Sequence, residues 1–222
     1  MDRKKQLKKL YLMPKVTSLE PQKKNPHRFN IFLDGEFAFG ADEDLVVNRR
    51  LVVGKIIPAE DLDKILFEAE VGKLMEKMYR LWSIRQRSER EVRNYFRTKK
   101  FSQMVIDAVV ENLKKKDMIN DLEFARSWVE ARRRSQNKGI RAIKAELYQK
   151  GIDKEIIESM DNGQWTMDNE KQLAQKALEK KLKVWRNLDP QKLKQKATEF
   201  LLRRGFEYEI VKEVIETLSD IR

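Results

Sequence analysis

The chain has 222 residues, of which 38% are charged, and its formal net charge is +12. Hydrophobic residues make up 41%, enough for a core, so wholesale disorder is excluded, and the positive excess points to anionic partners. With no cysteine, disulfides, thiolate nucleophiles and cysteine-based zinc sites are excluded as well.

The opening "MDRKKQLKKLYLMP" is basic but carries only a short apolar run (Leu10 to Met13). A signal peptide needs an apolar run of about 7–15 residues. No stretch approaches the roughly 20 apolar residues that span a bilayer, so the expectation is a soluble, cytoplasmic protein. "KKQLKKLYLM" has the composition of a basic amphipathic membrane anchor, but it is short and reads more simply as a solvated start.

"KVTSLE" (15–20) and "RFNIFL" (28–33) alternate apolar and polar residues as strands do. Asp34-Gly35 then precedes "EFAFGA", a strong hairpin signal. His27, the single histidine, stands between Pro26 and Arg28 and reads as a solvated loop residue rather than a metal ligand or catalytic group. "DEDLVVNRR" fits a short helix with acids first and arginines last, and "GKII" (54–57) suggests a further short strand. Residues 1–58 are thus expected to form a small β-rich module.

From Pro58 the period becomes helical. "PAEDLDKILFEAEVGKLMEKMYRLWSIRQ" begins with proline and acids in its first turn, and Gly72 is a candidate break into two helices. Three stretches then repeat one pattern: "TKKFSQMVIDAVV" from Thr98, "YQKGIDKEIIESM" from Tyr148 and "RRGFEYEIVKEVI" from Arg203. Lys99, Lys150 and Arg204 correspond, as do Phe101, Ile152 and Phe206, and a later apolar pair follows in each. Upstream, Val92 aligns with Ile143 and Ala197, and Phe96 with Leu147 and Leu201. Lys100 stands where the other copies have Gly151 and Gly205, so the first copy is expected to end its second helix differently. In the middle copy, Asn120 or Asp121 caps a helix to about Arg134. A second helix over about 140–150 and a short third capped by Asp153 follow.

A single three-helix unit buries its apolar face poorly, and stacked copies share the burial. The expected fold is mainly α: tandem three-helix repeats over 59–118, 119–162 and 163–222, in an elongated, curved array after the β module.

"RSEREVRNYF", the apolar pair behind it, "MINDLEFARSWV" and "KGIRAIKAELYQKGI", in that order, resemble the RecX family of RecA recombinase regulators. The likeness is close over about 75–160 and looser over the third copy, and "RFNIFLDGEFAFGADEDLVV" is similar to an extension found in part of the family. The resemblance implies a non-enzymatic protein that lies on RecA filaments and restrains strand exchange, ATP turnover and filament growth. It implies a RecA filament as partner; no cofactor is expected, and weak affinity for single- or double-stranded DNA, assisting encounter, and a monomeric state are expected beside it.

The residues themselves suggest where contact falls. Residues 131–150 carry a net +6 and residues 171–196 a net +7, against −5 over 36–71. Arg132, Arg133 and Arg134 are spread round a helix and cannot all face one partner, and each also suits a helix C-terminus. Lys138, Arg141 and Lys144 surround the start of the next helix. Its free N–H groups plus three cations would make a phosphate or carboxylate site, the first choice for the main contact. Lys99, Lys150 and Arg204 recur in register, though each also suits its helix dipole. Trp82, Trp128, Trp165 and Trp185 are candidate stacking platforms for bases; Trp128 fits the apolar stripe better.

Enzyme motifs are missing: no GxxxxGK[ST], GxSxG or HExxH occurs, and Asp121 serves better as a cap than as a metal ligand. The competing expectation is a DNA-binding protein acting without a recombinase, with "NKGIRAIK" opening a recognition helix. "SEREVRNYF" is acidic at the equivalent place, which argues against every copy entering DNA.

Overall fold

In the computed structural model, which describes residues 13–160 and 166–219, Asp34 (φ 49°) and Gly35 (φ 87°) turn strand β2 (Asn25–Leu33) into β3 (Glu36–Asp42). Two positive φ values in a two-residue loop match the right-handed twist of the flanking strands. Strand β1 (Val16–Gln22) completes an antiparallel sheet of order β1-β2-β3. His27 lies in β2, not in a loop; it is exposed, with Nδ1 3.1 Å from Glu43 Oε1. Segment 54–57 is not a strand: Ile56 makes one isolated bridge to Lys15, and Gly54 (φ 92°) holds a turn closed by Lys55 N–H on Val52 O.

The chain divides into two compact units, one of residues 13–86 and 96–118, the other of 87–95, 119–160 and 166–219. In the first, the sheet, α1 (Glu43–Asn48) and α2 (Ala59–Trp82) enclose a core that includes Val16, Ile31, Leu33, Leu45, Leu51, Ile57 and Ile65. Each fully buried aliphatic side chain there contributes about 1.5–3 kcal/mol. Gly72 does not divide α2, which is one continuous helix of 24 residues. The glycine answers packing instead, because a β-carbon there would lie 2.5 Å from Asp42 Oδ2. Asp42 is held in place as the N-cap of α1, accepting from Leu45 N–H at 2.9 Å. Helix α3 (Glu89–Thr98) runs from the second unit into the first, and α4 (Gln103–Lys115) packs on α2.

The second unit holds two complete three-helix sets. Helices α5 (Asp121–Gln136), α6 (Ile140–Gln149) and α7 (Lys154–Ser159) enclose Phe124, Ala125, Val129, Ile143, Leu147, Ile152 and Ile157. Helices α8 (Met167–Trp185), α9 (Pro190–Arg203) and α10 (Tyr208–Ser219) enclose Ala174, Leu178, Ala197, Leu201, Phe206 and Val211.

The aligned repeat positions have the same structural duty. Val92, Ile143 and Ala197 are fully buried, as are Phe96, Leu147 and Leu201. In each copy the second helix closes on a left-handed residue: Lys100 (φ 61°), Gly151 (φ 80°) and Gly205 (φ 86°). The amide after it reaches back in the same way, Phe101 to Phe96 O, Ile152 to Leu147 O and Phe206 to Leu201 O. The expected difference at Lys100 is therefore not found in the backbone. Glycine is required in the later copies because β-carbons would meet Arg90 Cδ at 2.1 Å (from Gly151) and Ala142 N at 2.3 Å (from Gly205). Lys100 is exposed, so a side chain fits there at the conformational cost alone.

Candidate phosphate-binding cleft

Gly139 is the N-cap of helix α6, and the amides at that helix start are used inside the protein. Gly139 N–H donates to Arg204 O and Arg141 N–H to Gly205 O, both at 3.1 Å, and Ile140 N–H donates to the Glu170 carboxylate at 3.1 Å. Glu170, from the first turn of α8, is buried and also takes the Arg133 guanidinium. The anion site expected at free N–H groups before α6 is thus filled by a carboxylate and two carbonyls. The same packing keeps the start of α6 from serving as a base-reading helix.

The predicted cations divide. Arg132 Nε donates to Glu146 Oε2 at 2.6 Å and its guanidinium lies over the Trp128 ring, 4.1 Å from the centroid. Lys138 joins the same carboxylate, and Trp128 Nε1 donates to it at 2.8 Å. Burial pushes the Glu146 pKa up, but the donors Lys138, Arg132 and Trp128 together outweigh it and hold the group below its ordinary value. Lys150 pairs with Glu91 and lies 5.0 Å from the Trp128 centroid. Lys144 is half-buried, while Arg134 and Arg141 are exposed without a side-chain partner among the described residues. Lys99 is exposed and belongs to the first unit, whereas the other eight belong to the second.

Trp128 stacks on Phe124 and Trp185 meets Phe200 edge-on, so both belong to cores. Trp82 is half-buried at the end of α2; Trp165, like "KKQLKKLYL", lies outside the described residues.

What the fold does bring together is a cleft of about 520 Å³ bounded by the end of α5, by α8 and by the end of α9. Six cations line it: Lys138, Lys176, Lys180, Lys181, Arg203 and Arg204. None of its lining residues is acidic. Lys176, Lys180 and Arg203 are exposed and unpaired among the described residues. Arg204 is anchored: it donates to Gln136 O and its guanidinium lies 4.7 Å from the Phe200 centroid. Burial first, then the charge of Arg203, lowers the Arg204 pKa, though an arginine stays protonated under any ordinary condition. Ala177, Phe200 and the exposed Val184 form an apolar wall.

Of the six, only Lys138 and Arg204 were candidates from the sequence. Lys176 and Lys180 stand one helical turn apart on α8, as do Ala177 and Lys181, so all four share one side of that helix. The basic run over 171–196 carried that signal, but the partners across the cleft arrive from elsewhere in the chain.

Among the described residues, no group of His, Asp and Glu could hold a metal ion, and no helix is long and apolar enough to cross a membrane.

Three domain models match the chain: the regulatory protein RecX N-terminal domain over residues 14–58, the second three-helix domain of RecX over 120–160, and the third over 168–215. Regulatory protein RecX of Bacillus velezensis is 34% identical over 92% of this chain and 77% of its own length. That of Bacillus subtilis is 34% identical over 93% and 78%. A crystal structure of regulatory protein RecX superposes with a TM-score of 0.73 at 25% identity, covering 91% of this chain and 99% of that one. RecX from Lactobacillus salivarius gives 0.59 at 25% identity, over 68% and 97%.

Proposed function

The chain belongs to the RecX family, and from that premise we propose that it is a non-enzymatic regulator of RecA, binding RecA nucleoprotein filaments and restraining their recombinase, ATPase and coprotease activities in DNA repair and the SOS response. The observation that carries this reading is the six-cation cleft with no acid in its lining. Such a field suits a partner whose surface includes phosphates, and a nucleoprotein filament combines phosphates with protein. The exposed Arg134 and Arg141 extend the positive surface of the second unit. The protein acts as a cytoplasmic monomer in this reading, with weak affinity for bare DNA assisting encounter.

The test is a paired titration near physiological salt. The full chain is titrated against naked single-stranded DNA and against RecA filaments assembled on the same DNA with a non-hydrolysed nucleotide. Preference for the filament with a shallow salt slope is expected. Equal affinity for both, collapsing together as salt rises, would replace this reading with a protein that acts on DNA directly.

A further inference from the structure

We infer that the cleft between α5, α8 and α9 holds consecutive phosphates of a single nucleic-acid strand. This rests on the filament reading only for where the strand is met, and the binding itself requires no recombinase.

The argument starts from charge. Of the six cations around about 520 Å³, Lys138 is paired with Glu146 behind the lining; the other five repel one another, and no carboxylate in the lining offsets them. The nearby carboxylates are already engaged: Glu170 by Arg133 and Ile140 N–H, and Glu146 by Arg132, Trp128 and, at the cleft edge, Lys138. The Arg204 pKa is lowered by burial first and then by the neighbouring charge of Arg203. A cluster left in that state gains most from a ligand carrying several closely spaced negative charges.

Shape selects a strand over a duplex. The cations line a concavity rather than a ridge or an exposed helix start, and the basic helix start nearby, that of α6, is packed on Gly205. A duplex is read by an element that enters its groove, whereas a single strand is tracked by a positive groove. The apolar wall of Ala177 and Val184 gives a sugar or base edge a dry surface beside the phosphates. Arg134 directly precedes the lining residue Ser135, and the Arg141 N–H donates to the carbonyl of Gly205 next to Arg204; both side chains are exposed and without a partner among the described residues, which adds positive charge near the cleft. Cations outnumber the two amide side chains of the lining, Gln136 and Asn137, so binding is led by the backbone rather than by base edges.

The experiment uses the full chain and a fluorescein-labelled oligothymidylate, measured by anisotropy at several salt concentrations. The variants are Lys176→Glu with Lys180→Glu, and separately Arg203→Glu; all three side chains are exposed and unpaired, so the fold is expected to survive, checked by thermal melting. The double variant is expected to bind at least tenfold more weakly and to lose about 1.4 from its logarithmic salt slope, the share of two phosphate contacts on a single strand. Inorganic tripolyphosphate is the second probe. Competition between it and the oligonucleotide, lost in both variants, supports the assignment. Unchanged oligonucleotide affinity and slope in folded variants would overturn it. So would tripolyphosphate binding that depends on Lys176 and Lys180 while the oligonucleotide ignores them, since the cleft would then serve a free polyphosphate. Filament binding is scored apart: a wild-type chain that holds the strand but ignores RecA sinks the filament reading and leaves this inference standing.

Discussion

Gly139 lies so close to Gly205 that a β-carbon on Gly139 would sit 2.5 Å from the Gly205 carbonyl oxygen. Two glycines from different three-helix sets thus let the start of α6 meet the turn between α9 and α10. The hydrogen bonds from Gly139 and Arg141 to Arg204 O and Gly205 O fix that approach. Gly139 has an ordinary φ of −70°, so Gly139→Ala carries no backbone strain and tests the contact alone. It is expected to destabilise the protein by about 1–3 kcal/mol through overpacking. Gly35→Ala is the contrast: φ is 87° but the surroundings are open, so only a conformational cost of about 1–2 kcal/mol applies. Urea unfolding of both variants decides the matter. A Gly139→Ala protein as stable as wild type would mean the approach is not a constraint.

Lys100 gives the converse. It holds the same left-handed helix end as Gly151 and Gly205 but bears the steric cost of a side chain. Lys100→Gly removes that cost, and the added freedom of the unfolded chain offsets part of the gain. A net gain of about 0.5–1 kcal/mol is expected, read as a higher urea midpoint with an unchanged slope. A loss would mean that the Lys100 side chain contributes to the native state beyond its conformation.

These two positions also show what is legible in the sequence. The repeated helix ends are readable because their signals are local: a basic residue, a left-handed residue and an apolar residue in succession. The Asp34-Gly35 hairpin is readable for the same reason. The role of Gly72 is not, because its cause is Asp42, thirty residues earlier and on another element. The start of α6 misleads for a similar reason. Its amides are free in any local reading, and the groups that occupy them, Glu170 and the carbonyls of Arg204 and Gly205, come from later helices. The cleft assembles Lys138, Lys176, Lys180 and Arg203 from separate stretches of the chain, so only its charge, not its shape, can be seen along the sequence.

Glu170 is the buried carboxylate that joins α8 to α5 and α6. Removing it takes one acceptor from the Arg133 guanidinium and the acceptor of the Ile140 amide in a protected place. Glu170→Ala is expected to cost about 3 kcal/mol, within the range for breaking a buried pair by deleting one partner. Glu170→Gln keeps an acceptor for the amide and is expected to cost less. Equilibrium denaturation compares the three proteins. Equal losses for alanine and glutamine would assign the whole effect to charge, and no loss in either would remove Glu170 as the clamp.

Glu146 makes stability depend on pH. Its donors hold the folded pKa below the ordinary glutamate value despite partial burial. A lowered folded pKa means that the folded state binds the proton less readily than the unfolded state. The stabilisation is therefore fully present above the unfolded pKa, about 4.3, and is lost as pH falls through the folded one. Glutamine copies the protonated carboxyl in shape but carries no charge. At pH 7 Glu146→Gln is expected to be less stable than wild type by about 1.5–3 kcal/mol, the worth of hydrogen bonds to a charged group. The gap should narrow as pH drops below the ordinary carboxylate range, because the wild-type group is then neutral too. Urea titrations of both proteins from neutral pH into acid measure it. A gap that stays constant, or widens in acid, would show that Arg132, Lys138 and Trp128 do not hold Glu146 in its charged form.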